Sequence, residues 1–241
     1  MKENLLVLTT AGTLKWLKGA IHTLRDPLDV LVVDDSTPEK VGIRVFCKKK
    51  GIHFLTKPEP RGLTNSWNIA YQFFKTHNYT NCILSNDDVR FPAGFSKGLI
   101  AGLSGKFSYA MIGPLTNMPG KEYAQQIRKF TEIEPTPKNF DQIEKIIGEQ
   151  VKSKSAYEQK KFINGFCLAF SRSMEKFKFS EEFLCDPARV NIGNDTFLSL
   201  RIWKQGGKSA VCRTSYVFHW KNVTFRAKGQ QRNRLWRVKK Q

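Results

Sequence analysis

The chain has 241 residues, 40% apolar and 25% charged, enough to bury roughly three quarters of its unfolded surface without a disulfide or structural metal, and collagen-like or strongly disordered compositions are excluded. Its 40 Lys and Arg against 21 Asp and Glu leave a formal charge of +19, which draws a protein to nucleic acid, anionic lipid or phosphorylated small molecules without choosing among them. Five scattered cysteines with no CxxC pair argue against a disulfide framework or a zinc site and fit a reducing, cytosol-like compartment.

Leu5–Thr9 reads as a buried strand, and its apolar run is too short for a signal-peptide core. Leu14, Leu17, Ile21 and Leu24 fall at helical spacing. Val30–Val33 is a second strand, closed by Asp34-Asp35-Ser36. Val41–Lys50 is expected to be helical, His53–Thr56 a third strand, and Asn65–Thr76 a helix with Trp67, Ala70, Tyr71 and Phe74 on one side. Cys82–Ser85 is a fourth strand, stopped by Asn86-Asp87-Asp88. Strand and helix alternate, which predicts an α/β fold with a largely parallel sheet and flanking helices; ligands in such sheets sit beyond the carboxyl ends of the strands.

From about 119 to 161 the chain turns polar, with Pro135 and Pro137 as breakers. Phe140, Ile143, Ile147 and Val151 predict one amphipathic helix there, and the segment is expected to be a variable, lid-like part of a single domain spanning 1–225. Phe162–Phe170 returns to strand character. Asp195–Gln205 is expected to be a helix ended by Gly206-Gly207, with Trp203 in the core, and Val217–His219 a last strand end. No stretch approaches the roughly 20 apolar residues of a spanning helix. After Asp195 there is no acidic residue, while twelve basic ones follow. The basic tail, 226–241, is expected to contact an anionic membrane or acceptor at about 1 kcal/mol per basic residue, the alternative being a solvated tail. Cytoplasmic localisation, peripheral at most, is the expectation.

Two strand ends carry the chemistry. Asn86-Asp87-Asp88 brings hard oxygen donors to the end of an apolar strand, a set suited to Mn²⁺ or Mg²⁺ holding a diphosphate; a polar turn explains the same residues. Asp34-Asp35-Ser36 offers acceptors for a base N–H or a ribose hydroxyl, or else a turn or helix cap.

Together these segments resemble the family 2 glycosyltransferases, which have the GT-A fold. The resemblance runs in order through the strand ending at Thr9, Val33-Asp34-Asp35-Ser36, Arg61-Gly62 with Asn65-Ser-Trp-Asn68-Ile-Ala70, and Asn86-Asp87-Asp88 where the family has its metal-binding Asp-x-Asp. It continues through Asn164-Gly165-Phe-Cys-Leu-Ala-Phe-Ser-Arg172, Gly193-Asn194-Asp195 with Arg201 and Gly206, and a late His219. Asn86 replaces the first Asp of the Asp-x-Asp and Asn194 replaces the Glu of the family's Glu-Asp. The segment 119–161 matches nothing in the pattern.

The resemblance implies an inverting, metal-dependent enzyme that moves a sugar from a nucleotide-diphosphate sugar, with a UDP-sugar expected, to a glycan, lipid or protein hydroxyl. It implies that Thr9 and Asp35 contact the nucleotide base, with Arg61 nearby in the nucleotide site, and that Asn86 faces the ribose. Asp88, helped by Asp87, would bind Mn²⁺ or Mg²⁺. Asp195 would be the general base, and His219 would complete the metal site or touch a phosphate. Read without the family, Asp195 is a helix-start charge and His219 a packed histidine beside Trp220. Two other classes fit the sequence less well. A nucleotidyltransferase wants a Gly-rich basic loop after the first strand, and Thr9-Thr-Ala-Gly12-Thr13 has one glycine and no Arg. A nucleic-acid binder would use the positive charge, but no recognition motif for one is present.

Overall fold

The computed structural model describes residues 2–11, 14–36, 41–56, 62–104, 107–119, 123–151, 155–177 and 194–220; Arg61 and the 226–241 tail lie outside them. Strand and helix alternate through β1 (Lys2–Thr10), α1 (Leu14–Thr23), β2 (Asp29–Asp34), α2 (Val41–Lys49), β3 (His53–Thr56), α3 (Leu63–Thr76) and β4 (Tyr79–Asn86). Then follow β5 (Val89–Arg90), α4 (Phe95–Leu103), β6 (Met111–Leu115), α5 (Phe140–Val151) and β7 (Tyr157–Gln159). The described chain ends with β8 (Cys167–Ser171), α6 (Asn194–Lys204), β9 (Ser209–Tyr216) and β10 (Phe218–His219).

Eight strands form one sheet in the order β3-β2-β1-β4-β8-β6-β9-β7. β3, β2, β1, β4, β6 and β9 run one way, and β8 and β7 the other. The mostly parallel sheet expected from the alternation is thus present. β2 and β3 step to one side of β1 and β4 to the other, so the strand order reverses at β1 and β4. A crevice opens at such a reversal, outside the carboxyl ends of the strands. β5 and β10 pair apart from the sheet as an antiparallel ribbon.

The period of two along each strand sorts the core onto both faces. Leu5, Val7, Leu31, Val33 and Leu84 point to the face covered by α3, α5 and α6. Leu6, Leu8, Val32 and Ile83 point to the face covered by α1, α2 and α4. With both faces covered, β1 and β2 read as continuous apolar runs rather than alternating ones. Within 119–161, α5 lays Phe140, Ile143, Ile147 and Val151 into the first of these cores, and β7 pairs with β9 at the sheet edge. No helix among the described residues is long and apolar enough to cross a membrane.

Three local expectations are revised. The strand expected over Phe162–Phe170 begins only at Cys167, because Asn164 and Gly165 are drawn into hydrogen bonds with Gln125 and Asp195 instead of a ladder. The last strand end, expected over Val217–His219, is β10, Phe218–His219, and lies in the ribbon rather than in the main sheet, which β9 before it joins. Trp203 is 54% exposed rather than core: α6 buries Leu198, Ser199 and Ile202, and Trp203 falls one step outside that row.

Candidate functional site

The register of the parallel strands assembles the first wall of the crevice. Thr9 on β1 lies opposite Val33 on β2 and Asn86 on β4, and Thr10 lies opposite Asp34. Thr9 is buried, and its hydroxyl donates to the Ser85 carbonyl at 3.4 Å. The two carboxylates after β2 divide their work. Asp34 is fully buried and accepts from the Ser36 amide at 2.9 Å and the Ser36 hydroxyl at 2.8 Å, which closes the turn. Asp35 stands at the rim. Its amide donates to the Thr10 carbonyl at 2.7 Å, and its carboxylate accepts the Gly62 amide at 3.0 and 3.1 Å. Asp35 therefore ties the end of β2 to the start of α3.

Beyond β4 the chain carries Asp87 and Asp88 into the ribbon of β5 and β10. Val89 pairs with His219, and the Trp220 amide donates to the Asp88 carbonyl at 3.0 Å. This brings His219 Nε2 to 3.3 Å from Asp88 Oδ1, although more than a hundred residues separate the two in the chain. The His219 ring lies against Phe166, with centroids 4.9 Å apart and planes 15° from parallel. Asn117 clamps the histidine from outside: its Oδ1 accepts the His219 amide at 2.8 Å and its Nδ2 donates to the His219 carbonyl at 3.1 Å.

Asp87, Asp88 and His219 are all buried, yet Asp87 Oδ2, Asp88 Oδ1 and both His219 ring nitrogens have no aligned hydrogen-bond partner among the described residues. Leaving one such group unsatisfied costs about 1–3 kcal/mol, so four in one place need a reason. Burial pushes the Asp87 carboxyl up to about 7, the Thr10 hydroxyl opposes this, and the Asp88 and Asp34 charges add to it. A carboxylate oxygen and an imidazole nitrogen are donors that Mn²⁺ accepts. No group of three or more His, Cys, Asp or Glu among the described residues is arranged to hold a metal. The donors present therefore fit a cation that completes its coordination from water or from a phosphate ligand, not a closed structural site.

Asp195 belongs to the second wall. It opens α6, and its carboxylate accepts the Gly165 amide at 2.9 Å and the Thr196 amide at 2.8 Å. A Cβ at Gly165 would stand 2.7 Å from the Trp67 ring and 2.9 Å from the Asp195 Cβ, so only glycine lets the chain pass between them. The next residue, Phe166, accepts the Asn86 amide through its carbonyl at 2.8 Å while its ring meets His219. One dipeptide thus joins the Asp195 anchor, the β4 terminus and the histidine.

Of the residues singled out in the sequence, Thr9, Asp35, Asn86, Asp87, Asp88, His219 and Asp195 are brought to this end of the sheet. Arg61 precedes Gly62 but lies outside the described residues. Two supports escaped the sequence reading. One is Asn117. The other is Gln125, fully buried, whose Oε1 accepts both nitrogens of Asn164 at 2.7 and 3.0 Å while its Nε2 donates to the Pro114 carbonyl at 2.8 Å. Neither sits in a motif; each acts through a partner far away in sequence.

No protein-family model matches the sequence, and no curated protein does. Among solved structures, GalNAc-T7 with UDP, GalNAc and Mn²⁺ aligns over 91% of this chain at a TM-score of 0.65 and 15% identity. The mannosyltransferase PcManGT from Pyrobaculum calidifontis, in complex with GDP-Man and Mn²⁺, aligns over 90% at 0.54 and 15%. The chain spans 44% and 56% of the lengths of these two proteins. The fold is that of the GT-A nucleotide-sugar transferases.

Proposed function

We propose that this chain is an inverting, metal-dependent glycosyltransferase that moves a sugar from a nucleoside-diphosphate sugar, with UDP as the nucleotide, to a hydroxyl of a glycan, lipid or protein. The observation that carries the reading is the pair Asp88 Oδ1 and His219 Nε2, 3.3 Å apart, buried and without aligned hydrogen bonds at the switch point of the sheet. The two similar folds were solved with nucleotides and Mn²⁺, which supports the same ligands here.

Asp88 and His219 would hold the cation, which when bound supplies positive charge to the departing diphosphate. Thr9, Asp35 and Arg61 would line the base and Asn86 the ribose. Asp195 acts on the acceptor. As the acceptor oxygen bonds to the anomeric carbon, the bond from that carbon to the diphosphate breaks and the hydroxyl proton passes to the Asp195 carboxylate. The Gly165 and Thr196 amides fix that carboxylate before the acceptor arrives, so little is lost in orienting it. The test is a panel of UDP- and GDP-sugars assayed with Mn²⁺ for release of the nucleoside diphosphate. Metal-dependent release from at least one UDP-sugar is expected. Release from none of the panel, with no nucleotide stabilising the fold, would overturn the reading.

A further inference from the structure

Trp203 is 54% exposed, although burying an indole would stabilise the fold. Among the described residues Lys161 lies against it, its Nζ 3.7 Å from the ring centre and 5.5 Å from that of Phe162. Lys161 forms no ion pair with a described carboxylate. Its neighbour Lys160 does, with Glu158 at 2.8 Å, and Glu158 also holds Arg213. An indole and an ammonium with no described carboxylate partner are therefore presented together.

Their placement is not casual. The segment from Lys161 to Gly165 runs antiparallel along α6. The Gly165 amide meets Asp195 at 2.9 Å, the Ile163 amide meets the Ser199 hydroxyl at 3.3 Å, and Lys161 meets Trp203. Two residues of extended chain advance about 6.6 Å and four of helix about 6 Å, so the contacts stay in step. Asp195, Ser199 and Trp203 form one stripe at i, i+4 and i+8, and the indole lies roughly 12 Å along the helix from the carboxylate.

We propose that Trp203 and Lys161 form a remote subsite for an anionic sugar of an extended acceptor glycan whose reacting hydroxyl sits at Asp195. The inference deepens the glycosyltransferase reading and rests on it. The C–H face of a pyranose packs on an indole, and a uronate carboxylate on the same sugar is attracted to the ammonium. The rigid helix fixes the spacing between subsite and base, so the site selects for acceptor length and charge together.

The test is direct binding, without donor, of a tetrasaccharide alternating N-acetylglucosamine and glucuronate to the full chain. A neutral N-acetylglucosamine tetramer and a short single-stranded DNA serve as comparators. Wild type is expected to bind the uronate probe at least tenfold more tightly than the neutral one, with affinity falling as salt rises. Trp203→Ala and Lys161→Glu are each expected to weaken binding at least tenfold while the thermal unfolding curve stays in place. No binding by wild type, equal binding by Trp203→Ala, or tighter Trp203-dependent binding of DNA would overturn the proposal. A UDP and Mn²⁺ thermal shift on the same wild-type sample reports on the donor site alone, so failure of the subsite and failure of the glycosyltransferase reading are told apart.

Discussion

The two walls of the crevice are built in opposite ways. The wall of β1, β2 and β4 consists of neighbouring parallel strand ends, each delivering its polar residues directly beyond an apolar run. The wall of β10, the 161–166 segment and α6 is assembled from parts far apart in the chain and fastened by single side chains: Asn117 on His219, Gln125 on Asn164, and Asp195 on Gly165. The first wall inherits its geometry from the sheet, whereas the second owes it to a few hydrogen bonds. Single substitutions should therefore displace chemistry in the second wall far more readily than in the first.

The largest effect is expected at Asp195. Asp195→Asn keeps a near-isosteric acceptor for the Gly165 amide but removes the proposed base, and loss of a general base costs roughly 10²–10⁴ in rate. Transfer measured at saturating donor should fall by that factor while nucleotide binding holds; turnover within a few-fold of wild type would reduce Asp195 to a structural tie. Asn117→Ala removes both hydrogen bonds to the His219 backbone without touching the proposed ligands. Loss of such an outer partner weakens metal affinity by about 10–100-fold, read by titrating Mn²⁺ in the presence of UDP. Unchanged affinity would mean that the β5–β10 ribbon holds His219 by itself. Gly165→Ala forces a methyl against Trp67 and Asp195, and overpacking of this kind costs about 1–3 kcal/mol. Chemical denaturation should report the loss, and an undiminished midpoint would show that this wall yields more easily than its contacts suggest.

The smallest expected effect is a pH dependence beneath β9. Burial pushes Glu144 on α5 up to about 8; the Tyr216 amide opposes the shift, and the Asp26 and Asp141 charges add to it. A carboxyl whose folded pKa lies above its unfolded value of about 4.3 costs stability increasingly as pH rises between the two, and the full cost persists above the higher one. Glu144→Gln retains an acceptor for the Tyr216 amide and removes that cost. The variant should match wild type near pH 4 and exceed it by at least about 1 kcal/mol at pH 9, or about 2–4 °C in Tm. A difference that does not grow with pH would contradict the assignment.

The contrast between the walls also explains what could be read from the sequence. β1, β2 and β4 announce themselves as apolar runs ending in Thr9, Asp34-Asp35 and Asn86-Asp87-Asp88, because burial on both faces and polar termini are local properties. α4 is not legible in the sequence, since Gly98 and Gly102 weaken any helical signal. In the structure they admit β9 and its neighbours closely: a Cβ there would stand 2.6 Å from Cys212 Sγ and 2.4 Å from Ile112 Cδ1. The N-terminus of α4 is satisfied by Asp26, about seventy residues earlier, through the Gly94 and Ser96 amides at 2.6 and 2.9 Å. β6 carries Gly113-Pro114, which reads as a turn, yet it runs parallel to β9 until the register shifts after Pro114. The pairing of His219 with Asp88 depends on the β5–β10 ribbon, two residues on each side, too short for any periodicity to reveal. Residue type alone places Trp203 in the core, and only the phase of α6 shows it outside.

Asp88 and His219 are proposed to hold a divalent cation together with a nucleoside diphosphate. Calorimetric titration of UDP into the full chain, with Mn²⁺ and with the metal chelated away, tests it most directly when repeated on Asp88→Ala and His219→Ala. Wild type is expected to bind UDP at least tenfold more tightly with Mn²⁺, and each substitution to remove this gain while leaving the thermal unfolding of the ligand-free protein cooperative. Equal UDP affinity with and without Mn²⁺ in wild type, or a metal-dependent gain that survives both substitutions, would contradict it.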